Sequence, residues 1–312
     1  MINIEDDVMY LHRLGLLDKL LYDRTTKRNI VWATDAHAEL GEAYKKDKEI
    51  RAELITGDRS GVIKTRAKKA ATQQNSRTRR HGEVFTPLWI CRKMNDYADE
   101  MWFGRPGVFE RGGEPVESVE FPKGKKWGAY VDSRRLEITC GEAPYLVNRY
   151  DVATGEEIPV EQRSGILDRK LRVVDENAPS EKEWLKWAFR AFEATYAYEL
   201  QGDNLVIARV NLFMTFAEHL SRSWNRRPAA KELQRLVKII TWNVWQMDGL
   251  TGKTPVFAPD GEDGRQRSLF EGLEDYDAGT REGAAVNCRI FDWRRQGGVE
   301  FLAFASERGK AK

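Results

Sequence analysis

The feature that most constrains the fold is a regular alternation of strand-like and helical segments between about residues 135 and 250. Leu136-Glu-Ile-Thr reads as a short strand, ending in the turn Cys140-Gly-Glu-Ala-Pro. Ser180-Glu-Lys-Glu183 has capping-box spacing, so a helix is expected from there to about Thr195. Tyr196-Ala-Tyr-Glu199 is strand-like, and a helix over about 204–222 follows. Pro228 suits the first turn of another helix, and residues 240–245 read as a third strand closed by Asp248-Gly249. Such alternation predicts an open α/β sheet.

The flanks read differently. Val8, Leu11, Leu14, Leu17 and Leu21 form the apolar stripe of a helix over about 5–22, and a second helical stretch is expected over 31–55. Lys64, Arg66, Lys68, Lys69, Arg77, Arg79 and Arg80 then crowd among small and polar residues. A helix over about 88–103 precedes a Gly/Pro-rich loop, 104–126. Residues 253–286 are acidic, Gly-rich and aperiodic, which suggests a mobile loop. Cys288-Arg-Ile-Phe-Asp-Trp and Val299-Glu-Phe-Leu, joined through Gly297-Gly298, read as a β-hairpin. The expected division is an N-terminal helical region with a basic segment (1–80), an α/β core (81–252), and an acidic loop with terminal hairpin (253–312).

Three cysteines, Cys91, Cys140 and Cys288, make no CxxC pair, which argues against a disulfide framework or a zinc site. The N-terminus is acidic rather than basic-then-apolar, and no apolar run approaches the ~18 residues that span a bilayer. A cytoplasmic protein with no membrane partner is the expectation. His37, His81 and His219 are scattered, with no nucleophile and acid beside them, so hydrolytic catalysis has no support.

In open α/β sheets, nucleotide-type ligands bind at the carboxyl ends of the strands, where a Gly turn admits the backbone and an acid on the next strand grips a ribose. Glu137-Ile-Thr-Cys-Gly141-Glu-Ala-Pro-Tyr145 and Tyr198-Glu199 both fit that logic, and Asp248 at a third strand end is placed to accept a hydrogen bond from an exocyclic amine. Each is weak alone: a Gly turn is usually only a turn, and Asp-Gly is by default a turn signal. Their order and spacing give them weight.

In that order the residues resemble the N6-adenine DNA methyltransferases of bacterial restriction–modification systems. Gly82-Glu-Val-Phe85-Thr86-Pro87 resembles the family's N-terminal Phe-Thr-Pro element, which packs over the methionine part of S-adenosylmethionine (SAM). Glu137, Gly141 and Tyr145 match the leading acid, first glycine and aromatic of its SAM loop. Tyr198-Glu199, followed by Asp203-Asn-Leu and Ala208-Arg209, resembles the strand whose acid binds the SAM ribose. Asn243-Val-Trp-Gln-Met-Asp248-Gly-Leu resembles the element whose acid contacts the SAM adenine. The resemblance covers roughly 80–252. It implies an incomplete Rossmann-like SAM-dependent methyltransferase sheet, SAM as cofactor and DNA as partner; by their charge the basic residues of 64–80 are either DNA-phosphate contacts or a solvated, flexible charged segment.

Two departures qualify what it implies. Ala143 stands where the family has a third glycine, followed by Pro144, which has no N–H to donate. The catalytic Asp/Asn-Pro-Pro-aromatic motif, which accepts hydrogen bonds from the target amine and stacks on a flipped base, is absent, since none of the ten prolines are adjacent. By family order that motif should follow the third-strand element by a few dozen residues, where this chain has its acidic loop and terminal hairpin, and the later strands and any target-recognition domain would lie beyond Lys312. The expected function is thus a SAM-binding adenine-methyltransferase-like subunit whose base-binding group comes from a partner chain or a local substitute such as Asp292-Trp293. A catalytically silent SAM- or DNA-binding regulatory subunit and a scaffold without ligand remain alternatives.

Overall fold

Three parallel strands organise the chain, whose computed structural model describes residues 2–69, 86–257 and 284–309. With strands and helices numbered in chain order, these are β5 (Arg135–Glu137), β6 (Thr195–Glu199) and β7 (Val244–Gln246), side by side in that order. Glu137 lies opposite Ala197, and Tyr198 opposite Trp245. Each crossover carries two helices: α5 (Ile166–Asn177) and α6 (Glu181–Glu193) lead from β5 to β6, and α7 (Gly202–Trp224) and α8 (Ala230–Asn243) lead from β6 to β7. The fold is mixed α/β.

Side-chain alternation sends successive residues to opposite faces of the sheet. Ala197 and Val244 join the main core with the crossover helices. Tyr196, Tyr198 and Trp245 face the other way, against Cys288 and Ile290 at the start of a hairpin, β8 (Arg289–Asp292) and β9 (Gly297–Glu300). The hairpin is where the sequence places it, and it continues into a terminal helix, α9 (Phe301–Gly309), that the sequence reading did not anticipate.

Helix α7 is buried at every position from Gly202 to Phe213, so it has no solvent face over those turns. The N-terminal segment wraps it. The Arg209 guanidinium donates to the carbonyls of Leu20 and Tyr22, and Gly202 N donates to Trp32 O. A Cβ on Gly202 would lie 2.1 Å from Val31 O, so only glycine permits this approach.

Four local expectations differ from the structure. The helix expected over 5–22 is two, α1 (Ile4–Arg13) and α2 (Leu17–Leu21), broken where Gly15 turns left-handed at φ 65°. The helical stretch expected over 31–55 contains no α-helix. Its backbone pairs at long range instead, with Trp32 N donating to Lys48 O, Ile50 N to Ile30 O, and the Gln246 amide bonding both backbone groups of Val31. The strand expected over 240–245 begins only at Val244; the β-branched run Ile239-Ile240-Thr241 belongs to α8. Burial against α6 and the sheet overrides its strand propensity. The 104–126 loop holds a short hairpin, β3 (Glu110–Arg111) with β4 (Glu114–Pro115). The mobile loop expected over 253–286 falls mostly outside the described residues.

The helix expected at 88–103 forms as α3 (Leu88–Phe103), and the one after Ser180 starts with Ser180 Oγ accepting from Glu183 N. Among the described residues no helix is long and apolar enough to cross a membrane.

Candidate functional site at the carboxyl edge of the sheet

The chain leaves β5 at Glu137 and turns sharply through residues 138–143. Thr139, Gly141 and Ala143 adopt positive φ of 47°, 54° and 65°. Left-handed backbone costs a non-glycine residue ~1–2 kcal/mol, and a β-branched threonine there is a genuine outlier. Surrounding bonds hold the loop in that shape. Cys140 N donates to Tyr198 O, and the Glu137 carboxylate accepts from Tyr145 N and Leu146 N at 3.3 and 3.1 Å. The Glu142 carboxylate accepts from Arg66 N and the Tyr150 hydroxyl, both at 2.6 Å. Strain over-determined in this way clusters at ligand-binding sites.

Glu199 ends β6 beside this loop. Its Oε2 accepts from Gly141 N at 2.8 Å and its Oε1 from Gln201 N at 2.9 Å. Among the described residues, and its two chain neighbours apart, no heavy atom lies within 4 Å of the position a Cβ would take on Gly141. Burial drives the Glu137 pKa well above its ordinary 4.5, and the Glu199 charge pushes it the same way.

Asp248 stands on the same edge. Met247 N donates to Glu199 O, and Asp248 follows, half-buried, with Oδ1 accepting from Leu250 N. Leu250 is 98% exposed, an apolar side chain held out beside the strand ends. Across the loop, the Tyr145 hydroxyl bonds to Thr86 and contacts Met94 Sδ at 3.2 Å, and Cys91 Sγ donates to Thr86 O. Pro87 caps α3 immediately after. Burial pushes the Cys91 thiol up to about 12, so it does not serve as a thiolate nucleophile at neutral pH. Glu137, Gly141, Tyr145, Glu199, Asp248 and Thr86–Pro87 thus occupy one edge; Phe85 lies outside the described residues.

The basic residues are placed unevenly. Lys64 is exposed. Arg66 and Lys68 are half-buried, with Lys68 Nζ donating to Asn3 Oδ1. Lys69 is buried, its Nζ 3.3 Å from Asp203 at the start of α7, where His37 also bonds. Its ammonium is spent on an internal pair rather than offered to a phosphate. Arg77, Arg79 and Arg80 lie outside the described residues.

The Asp292-Trp293 pair, considered from sequence as a local substitute for the base-binding motif, lies at the opposite edge. Asp292 pairs with Arg134 just before β5, and Trp293 Nε1 donates to Asn243 just before β7. Both contacts are at amino ends of strands, too far round the sheet to serve a ligand at the carboxyl ends. His219 bonds Asp175 inside the helix layer, and no group of His, Cys, Asp and Glu able to hold a metal occurs among the described residues. Two surface hollows, of about 550 and 420 Å³, lie along α6 around Lys186 and Arg235, away from the carboxyl edge.

Sequence reasoning missed Gln201, Glu142 and Asn95. Gln201 acts through its backbone N–H, and Glu142 through Tyr150 and the backbone of Arg66, 76 residues away, so neither leaves a sequence motif. Asn95 donates to the carbonyls of Tyr145 and Ser164 and ties α3 to the loop. Its only signal was a polar residue in register with Cys91, Asp99 and Phe103 on the buried face of α3.

No protein-family model matches this chain, nor does any curated protein or solved structure.

Proposed function

We propose that the carboxyl edge binds the nucleoside of SAM and that the protein is a SAM-binding, adenine-N6 DNA methyltransferase-like subunit that depends on a partner for catalysis. The observation that carries this reading is the bond from Gly141 N to the Glu199 carboxylate, which joins two elements matched separately to SAM-binding motifs. The chemistry the cofactor supplies is an electrophilic methyl group on a sulfonium.

The residues fit such a ligand. Glu199, oriented by two backbone donors, presents its carboxylate at the strand end where a ribose diol would bind. The missing Cβ of Gly141 leaves room for close backbone approach. Asp248 is placed to accept from an adenine amine, with the exposed Leu250 beside it for a ring face. Thr86 and Tyr145 close the other end, where the methionine part belongs. In this reading β5, β6 and β7 are the first half of a Rossmann-like methyltransferase sheet, and the exposed Lys64 leads toward the basic run through Arg80 that meets DNA.

Catalysis needs acceptors that sharpen the lone pair of an amine delocalised into its ring, and those belong to the absent Asp/Asn-Pro-Pro-aromatic motif. That absence keeps a silent, SAM-binding regulatory role as the second reading. Thermal unfolding with and without SAM tests the proposal, because a ligand selective for the folded state raises Tm. A Tm unmoved by millimolar SAM would overturn it.

A further inference from the structure

Helix α3 exposes large apolar side chains away from its buried face. Cys91, Asn95, Asp99 and Phe103 form its buried face, while Trp89, Met94, Tyr97 and Met101 stand 65%, 55%, 66% and 71% exposed. Beside it runs β5, bound to α3 through Arg135 Nη2 and Ala98 O. Leu136 and Ile138 are 44% and 62% exposed. Leu136 pairs with Tyr196 and so shares the face that the C-terminal hairpin covers over β6 and β7 but leaves bare here.

Strand β5 is also open along its edge. Arg135 N is turned toward Ala194 O, on the β6 side. By alternation the N–H and C=O of Leu136 point outward. Among the described residues no strand pairs with β5 on that side. Parallel sheets occur almost only with both faces covered, an open strand edge is a template for pairing with another chain, and large exposed apolar patches mark interaction sites. The six apolar side chains expose on the order of 800 Å², about what one partner contributes to a standard-size interface.

We infer that this surface receives a second, different polypeptide, which adds a parallel strand beside β5 and covers the stripe of α3. The sheet sets the direction: a strand parallel to β5 ends beside Gly141, at the candidate site. A second copy of this chain pairing edge to edge about a two-fold axis would run antiparallel, and it would bring no Pro-Pro motif, because it has the same sequence. Preferring a different chain over a second copy rests on the proposed methyltransferase reading. The open edge and apolar stripe do not depend on it. Met94 Sδ, in contact with the Tyr145 hydroxyl, joins the stripe to the loop.

The test is hydrogen exchange on the full chain with a synthetic peptide of alternating Val and Thr, Lys-flanked and ending in Asn-Pro-Pro-Tyr. Amides of 135–139 and 89–101 are expected to exchange at least ~10-fold more slowly at millimolar peptide. Ile138→Pro removes an outward N–H and should abolish the protection; Tyr97→Lys, on the exposed helix face, should weaken it while leaving the fold intact. No protection at millimolar peptide, or protection unaffected by Tyr97→Lys, overturns the proposal. So does protection of the same segments that grows with protein concentration without peptide, which assigns the surface to a second copy. The SAM-induced Tm shift is read in parallel. Peptide protection without a SAM shift upholds the docking surface while sinking the SAM reading, and the reverse sinks the docking surface alone.

Discussion

The Gly141 backbone N–H donates to Glu199 Oε2 across 2.8 Å, joining the loop after β5 to the last residue of β6. Gln201 N holds the other oxygen, so the carboxylate is fixed in plane and direction before any ligand arrives. Preorganisation of this kind lets a binding group act without paying its own ordering entropy at the moment of contact.

Replacing Glu199 by glutamine should therefore do two things. One backbone N–H loses its acceptor, at about 1–3 kcal/mol of stability. The SAM-induced rise in Tm should disappear, since an amide cannot accept from both hydroxyls of a diol while still serving Gly141 and Gln201. A variant that keeps the full SAM shift would remove Glu199 from the ribose.

Thr139 holds φ at 47° with its side chain exposed, and its hydroxyl only reaches back to Ile138 O. Thr139→Gly should stabilise the fold by about 1 kcal/mol, the left-handed strain relieved less the added chain entropy. Urea unfolding measures it; a destabilised variant would show the threonine doing structural work not visible in its contacts.

Burial raises the Glu137 pKa far above 4.5, so the folded state holds this proton more tightly than the unfolded chain does. Its contribution is then greatest below about pH 4.5 and is lost as pH rises through the raised folded-state value. Glu137→Gln removes that dependence. Relative to the native chain, the glutamine variant should gain stability as pH rises above about 4.5, until the raised folded-state value is passed, read as the difference between two urea-unfolding series. A difference that stays flat, or moves the other way, refutes a raised pKa at Glu137.

Lys64 and Lys69 are near neighbours in sequence but should behave oppositely. Lys69→Met breaks a buried pair with Asp203 and should cost about 3 kcal/mol, while leaving the salt dependence of DNA retention unchanged. Lys64→Ala should change stability by less than about 0.5 kcal/mol and lower the slope of log K against log salt by about 1. Equal effects of the two on DNA retention would contradict the inward placement of Lys69.

The purified chain alone should transfer no radiolabelled methyl group from SAM to DNA. Robust transfer by these residues alone would mean that the adjacent-proline motif is dispensable here.

The sequence by itself determined the elements whose information is local. Hydrophobic period and capping chemistry marked α3, α6 and the bulk of α7, and Cys288 to Leu302 carried the alternation and glycines of a hairpin. It also marked the strand ends, because Gly141 and Asp248 lie in turn-forming stretches and Glu199 closes a strand-like run ahead of Gly202. Tertiary structure decided the rest. The 31–55 segment is expected to be helical, but Trp32 bonds Lys48 and Ile50 bonds Ile30, and Val31 bonds Gln246, 215 residues away, a partner that no window of neighbouring residues contains. Lys69 reads as one cation among seven until Asp203, remote in sequence, takes it inward. That Gly141 meets Glu199, and that Asp292-Trp293 lies at the wrong edge, follows from strand order and direction. Those depend on which surfaces bury each other in the finished fold, a global balance that periodicity along the chain does not encode.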